Sequence, residues 1–94
     1  MHITASAPTR IDLAGGTIDI WPLYLFHPGA QTLNVAISLR AHARIEPRVG
    51  DEVALVSEDT ARTALLPADH RLRDDATLPL LGRLAHHFGA RGLT

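Results

Sequence analysis

The chain has 94 residues, 46% of them apolar and 20% charged, with a formal net charge of −1 at neutral pH. That composition describes one small globular domain, excludes intrinsic disorder and gives no electrostatic footprint for nucleic acid. All nine basic residues are arginines and there is no cysteine, so the chain holds no P-loop or Schiff-base lysine, no disulfide and no zinc–thiolate site.

From the N-terminus, Ile3 to Ala7 and Ile11 to Ala14 read as short extended segments, interrupted or bent at Pro8. On the second, Ile11 and Leu13 share one face while Arg10, Asp12 and Ala14 share the other. Gly15-Gly16 then turns the chain, because glycine tolerates positive φ. Asp19 is placed to cap a short helix, with Pro22 in its first turn and Leu23, Leu25 and Phe26 in its body; His27-Pro28-Gly29 ends it. Trp21 and Tyr24 are able to stack on a ligand, but are expected to pack beneath this helix, as large aromatics are mostly buried. The longest apolar run, Ile20 to Phe26, contains Pro22 and falls well short of the ~20 residues a membrane span needs. With no targeting segment either, a cytoplasmic protein without a membrane partner is expected.

Leu33, Val35, Ile37 and Leu39 alternate along a strand from Thr32 to Leu39, and Ala41 to Val49 reads as the next. Pro47 marks this second strand as an edge or a bulge. Gly50-Asp51 fits a two-residue hairpin turn into Glu52 to Ser57, and Thr63 to Leu66 fits one more short strand. After a charged connector, Asp69 to Asp75, the residues Leu78, Leu81, Leu84, Ala85 and Phe88 recur at helical spacing. Asp74, Asp75 or Thr77 can cap this helix, Gly89 stops it, and Ala90 to Thr94 begins a further element. The expected fold is α/β of the α+β type, a mostly antiparallel sheet with helices on one face.

The residues with the most chemical promise are Arg10, Gly15, Gly16, Thr17 and Asp19. A strand and a glycine turn can bring the arginine and the aspartate to one cleft. There a guanidinium stabilises a transferred phosphoryl group and a carboxylate accepts hydrogen bonds from substrate hydroxyls. The same residues also fit a plainer arrangement, with Asp19 as a cap, the glycines as a turn and Arg10 paired with Asp12 on the surface. The adjacent His86 and His87 diverge by about 100° on a helix and do not make a chelating pair, so no metal site is expected.

Ala7-Pro8-Thr9-Arg10, the strand through Leu13-Ala14-Gly15-Gly16, and Asp19 resemble the first motif of the GHMP small-molecule kinases, nearest the heptose-phosphate and fucose kinase branch. Leu33-Asn34-Val35-Ala36-Ile37 is similar to the next strand of that branch. The resemblance runs from about Ala5 to Glu46, differing at Thr17 and Ile18, where a third glycine and a threonine are usual, and at Ser38, where an acid is common. It implies a ribosomal protein S5 domain 2-like fold, left incomplete, with residues 1–94 as the N-terminal fragment of a kinase N-terminal domain. It also implies Arg10 near the transferred phosphate as the catalytic residue, Gly15, Gly16 and Thr17 lining the sugar end of the pocket, and Asp19 on sugar hydroxyls. The complete enzyme would use ATP and Mg²⁺ to phosphorylate a hydroxyl of a sugar or sugar phosphate. This chain has no P-x-x-x-G-L-G-S-S-A segment to grip ATP phosphates, so it is expected to bind no nucleotide and to be inactive alone. The alternative is a non-catalytic sugar-binding or dimerising module. Under the fragment reading, the apolar face of Leu78, Leu81, Leu84 and Phe88 lacks a partner and self-association is expected.

Overall fold

The computed structural model describes residues 2–94, which form an α+β chain with two antiparallel two-stranded sheets and short helices. The order is β1 (Ile3–Ala14), a 3₁₀ turn (Leu23–Phe26), β2 (Leu33–Ile45), β3 (Val53–Ser57), β4 (Arg62–Leu66), α1 (His70–Arg73) and α2 (Pro79–His87). The chain divides into two compact units, Ala5–Ala43 and a second made of Arg44–Thr94 with the N-terminal residues up to Thr4.

β1 and β2 form the first sheet. Thr9 Oγ1 donates to the Leu39 carbonyl at 2.7 Å, Arg40 Nε to Ser6 Oγ at 3.2 Å, and Thr32 Oγ1 to the Gly15 carbonyl at 3.3 Å. Partner numbers fall along β2 as they rise along β1, so the pair is antiparallel. Both strands are longer than their sequences suggest. β1 runs unbroken through Pro8, because each strand of a two-stranded ribbon is an edge and a missing N–H is tolerated where no partner is needed. β2 is one strand rather than two: the alternation from Leu33 through Ala41 and Ala43 to Ile45 never breaks, and no turn residue interrupts it at Arg40.

The alternation gives the ribbon one apolar face, with Ile11 and Leu13 opposite Leu33, Val35, Ile37 and Leu39, and one polar face carrying Ser6, Arg10, Asp12 and Arg40. Leu13 is 61% and Leu39 72% exposed, so the apolar face is largely uncovered.

In the second unit β3 pairs with β4 antiparallel, Val53 opposite Leu66 and Ser57 opposite Arg62. Gly50-Asp51 does not make the expected hairpin. The C-terminal residues lie between the two segments that such a hairpin would join. Glu46 and Thr94 exchange hydrogen bonds of 2.9 and 2.8 Å, Arg48 N–H donates to the Gly92 carbonyl at 2.7 Å, and Ala54 N–H to the Leu93 carbonyl at 2.8 Å. Leu93 thus bridges Pro47 antiparallel and Val53 parallel. This is the element begun at Ala90, and it satisfies backbone groups on both flanks. It is delivered by a Schellman turn, in which Gly89 at φ +64° donates to the His86 carbonyl and Ala90 to that of Ala85.

The core is Val53, Leu55, Leu72 and Leu78, flanked by Ala64, Leu66, Ala68, Ala85 and Ala90. α2 does not pack on its leucine stripe. Leu78, Gly82 and Ala85 face the core at i, i+4 and i+7, while Leu81, Leu84 and Phe88 stay outside. A Cβ on Gly82 would collide with the Leu72 carbonyl, so the missing side chain is what lets the two helices meet. α2 starts after Leu78 with no side-chain cap, so none of Asp74, Asp75 and Thr77 caps it; Asp75 accepts instead from the N–H of Leu78 at 2.7 Å, and Pro79, which has no N–H to satisfy, opens the helix. The charged connector holds the short helix α1, which the sequence pattern does not announce. Asp69 caps it, accepting from Arg71 N–H at 2.8 Å and from the Arg71 guanidinium at 2.7 Å.

Two outcomes follow from this packing. Leu72 is 1% exposed, so Leu72→Ala is expected to destabilise the fold by about 2–5 kcal/mol in urea denaturation followed by circular dichroism. The side-chain hydrogen bond from Arg71, reinforced by its backbone N–H, holds the Asp69 carboxyl down from 3.8 to about 2. The unfolded chain therefore binds this proton more tightly, and stability rises with pH. The stabilisation is fully present above pH 3.8 and is lost as pH falls to about 2. In an acid titration, Asp69→Asn is expected to remove that part of the pH dependence.

Candidate functional site

The site is built at the end of β1, inside the Ala5–Ala43 unit. Strand alternation puts Arg10 and Asp12 on the same face, and Arg10 Nε lies 3.5 Å from Asp12 Oδ1. Both side chains are exposed, and a surface pair of this kind contributes only about 0–1 kcal/mol. The guanidinium is held loosely.

Beyond Ala14 the chain turns at Gly15, whose φ is +77°. A Cβ there would strike the Gln31 carbonyl, and Thr32 Cα would be 3.3 Å away. The Gly15 carbonyl accepts from Ile18 N–H at 3.1 Å and from the Thr32 hydroxyl, tying the turn to the residues that lead into β2. Gly16 packs against Asp12: an added Cβ would sit 3.0 Å from Asp12 Oδ2. Thr17 is exposed, and its carbonyl accepts from Ile20 N–H at 3.3 Å.

Asp19 does not cap a helix. The segment continues as successive turns, with Leu23 N–H on the Ile20 carbonyl at 2.7 Å and Leu25 N–H on that of Pro22 at 3.0 Å. The 3₁₀ turn starts after Pro22, with no side-chain cap. The reason is local. A four-residue 3₁₀ turn begun by a proline, which has no N–H to offer, leaves a carboxylate three residues upstream with nothing to cap. Trp21 and Tyr24 do not pack beneath the turn either; they are 71% and 46% exposed.

Asp19 instead lines a shallow, open concavity of about 340 Å³ with Ile18, Tyr24, His27, Gly29, Ala30 and Thr32. Arg10, Gly15, Gly16 and Thr17 are not among its lining residues. The glycine turn shapes the concavity from behind, through the Gly15–Thr32 hydrogen bond. His27 and Thr32 are the residues the sequence did not single out, whereas Tyr24 is open there as a residue able to stack on a ligand. The available signal was a polar side chain in the stretch between Asp19 and β2, hidden because His27 reads as part of a helix-ending His-Pro-Gly. A second concavity of about 380 Å³, in the other unit, is lined by Ser57, Thr60, Arg62 and the start of α2, mostly with apolar groups.

The N-terminus of α1 is occupied by the Asp69 carboxylate, whereas α2 has no side-chain cap. Among the described residues no cluster of three or more His, Asp or Glu side chains is placed to hold a metal ion. Nor is any helix among them long and apolar enough to cross a membrane. No protein-family model matches the chain, and no curated protein or solved structure matches it either.

The two glycines test the geometry of the turn. Gly15→Ala is expected to destabilise the chain by more than about 1 kcal/mol in urea denaturation, because positive φ and the Gln31 carbonyl act together. Gly16→Ala is expected to have a smaller effect, since its new contact is with the Asp12 side chain, which can move.

Proposed function

We propose that this chain is the N-terminal, acceptor-binding part of a GHMP-type small-molecule kinase of ribosomal protein S5 domain 2-like fold. The complete enzyme would transfer the γ-phosphate of ATP, with Mg²⁺, to a hydroxyl of a sugar or sugar phosphate. The observation that carries this reading is the position of Asp19. Its carboxylate caps nothing and lines a concavity directly after a strand and glycine turn whose residues resemble the first motif of those kinases. An ionised carboxylate offers only acceptors, which suits a ligand rich in hydroxyl donors.

Arg10 has the chemistry to neutralise charge on a phosphoryl group. Its exposed pairing with Asp12 is weak enough for a phosphate to compete for it. The chain's share of the work is to bind and orient the acceptor; the nucleotide would be held by residues other than these.

Titration calorimetry with a panel of monosaccharides tests this reading. Binding in the millimolar range is expected, with Asp19→Asn weakening it about tenfold and leaving the urea midpoint unchanged. The chain alone is expected to transfer no phosphate from ATP to any sugar of the panel. No binding across the panel, or phosphorylation by the isolated chain above a blank, would overturn the proposal.

A second reading, a dimerising module, is favoured by the uncovered apolar face of the β1–β2 ribbon and by the exposed Leu81 and Leu84 of α2 with Phe88 at its end. Self-association in light scattering at high concentration is expected on either reading, and a monodisperse monomer would count against it.

A further inference from the structure

Resting on the acceptor-binding reading, we infer that Tyr24 and His27 are specificity-determining residues that fit the Asp19 concavity to a single uncharged polyhydroxylated ring rather than to a phosphorylated one. Three observations lead there.

The first is size. At about 340 Å³ the concavity stands at the low end of the range for small-molecule sites, roughly 300–1,000 Å³. That is room to seat one ring against its lining.

The second is the inventory of polar groups. Asp19 supplies acceptors. The Thr32 hydroxyl already donates its hydrogen to the Gly15 carbonyl, so its oxygen offers a lone pair. Tyr24 and His27 supply a phenolic O–H and an imidazole N–H. A ring whose hydroxyls both donate and accept meets all four, whereas an aliphatic or purely anionic ligand does not. The half-exposed Tyr24 ring adds an apolar face for the C–H side of such a ring.

The third is charge. No arginine lines the concavity, and its one acid is Asp19. A phosphate ester carries about −1.5 to −2 charges at neutral pH, and within the concavity it would face that carboxylate without a fixed cation to offset it. The arginines of this unit, Arg10 and Arg40, lie outside the concavity, beside Asp12 and Ser6. The arrangement favours hydroxyls and disfavours phosphate.

The experiment compares unphosphorylated monosaccharides with their phosphate esters by titration calorimetry, using the full 94-residue chain and the variants Tyr24→Ala, Tyr24→Phe, His27→Ala and Asp19→Asn. Because Tyr24, His27 and Asp19 are exposed, circular dichroism is expected to show all four variants folded. The best uncharged ring is expected to bind at least about tenfold tighter than its phosphate esters. Tyr24→Ala and His27→Ala are each expected to weaken it about 3- to 10-fold, with Tyr24→Phe between Tyr24→Ala and the unaltered chain. If phosphate esters bind as tightly as the free ring, the inference falls. It falls too if Asp19→Asn weakens binding while Tyr24→Ala and His27→Ala do not, and the acceptor-binding reading then stands. If no ring binds at all, both fall.

Discussion

The backbone carbonyl of Gln31 occupies the place where a side chain on residue 15 would have to be, and the Ala5–Ala43 unit is organised by that close approach. Only glycine fits there, at a positive φ that other residues resist. Its carbonyl then gathers both Ile18 N–H and the Thr32 hydroxyl, so the end of β1 and the entry to β2 are held at one point. With those ends fixed, the twelve- and thirteen-residue strands pair with their large aliphatic residues on one face. The intervening turns have little freedom left, and they present Asp19, Tyr24 and His27 around one concavity.

The second unit is governed by backbone hydrogen bonding more than by its small core. Four buried aliphatic residues give a modest hydrophobic contribution. What joins the sheet to the helices is the run Gly92–Thr94, with Glu46 and Arg48 on one side and Ala54 on the other. A Schellman turn after α2 aims that run, and Gly82 lets α2 lie close enough to α1 for the aim to be true. Side-chain carboxylates finish the arrangement at each helix start: Asp69 is held ionised by Arg71, and Asp75 accepts from Leu78.

The engaged carboxylates bear on function. Asp69 fills the N-terminus of α1, and Asp75 holds the Leu78 N–H just before α2. Asp19 is the contrast, an acid near a turn that caps nothing and faces a concavity. The proposed division of labour, acceptor binding here and nucleotide binding elsewhere, rests on that difference between engaged and disengaged carboxylates.

The extended segments Ile3 to Ala7 and Ile11 to Ala14, the alternation from Leu33 to Ile45, the stop at Gly89 and the turn at Gly15-Gly16 were all legible in the amino-acid sequence, because each depends on the conformational preference of one residue or its near neighbours. Tertiary structure decided the rest. Pro8 and Arg40 did not interrupt their strands, since a two-stranded ribbon asks for no hydrogen bond on its outer edges. Gly50-Asp51 gave up its hairpin because a segment some forty residues later supplied the partner backbone. α2 turned its small residues rather than its leucines inward, because helix packing is set by the closest approach the neighbour allows. The motif around Arg10 and Asp19 was visible as residues in order. The Arg10–Asp12 pair was open in the sequence too, because residues i and i+2 share a strand face; that Asp19 is left free to join Tyr24, His27 and Thr32 is a matter of which groups the fold brings within reach, and local preferences do not encode distance.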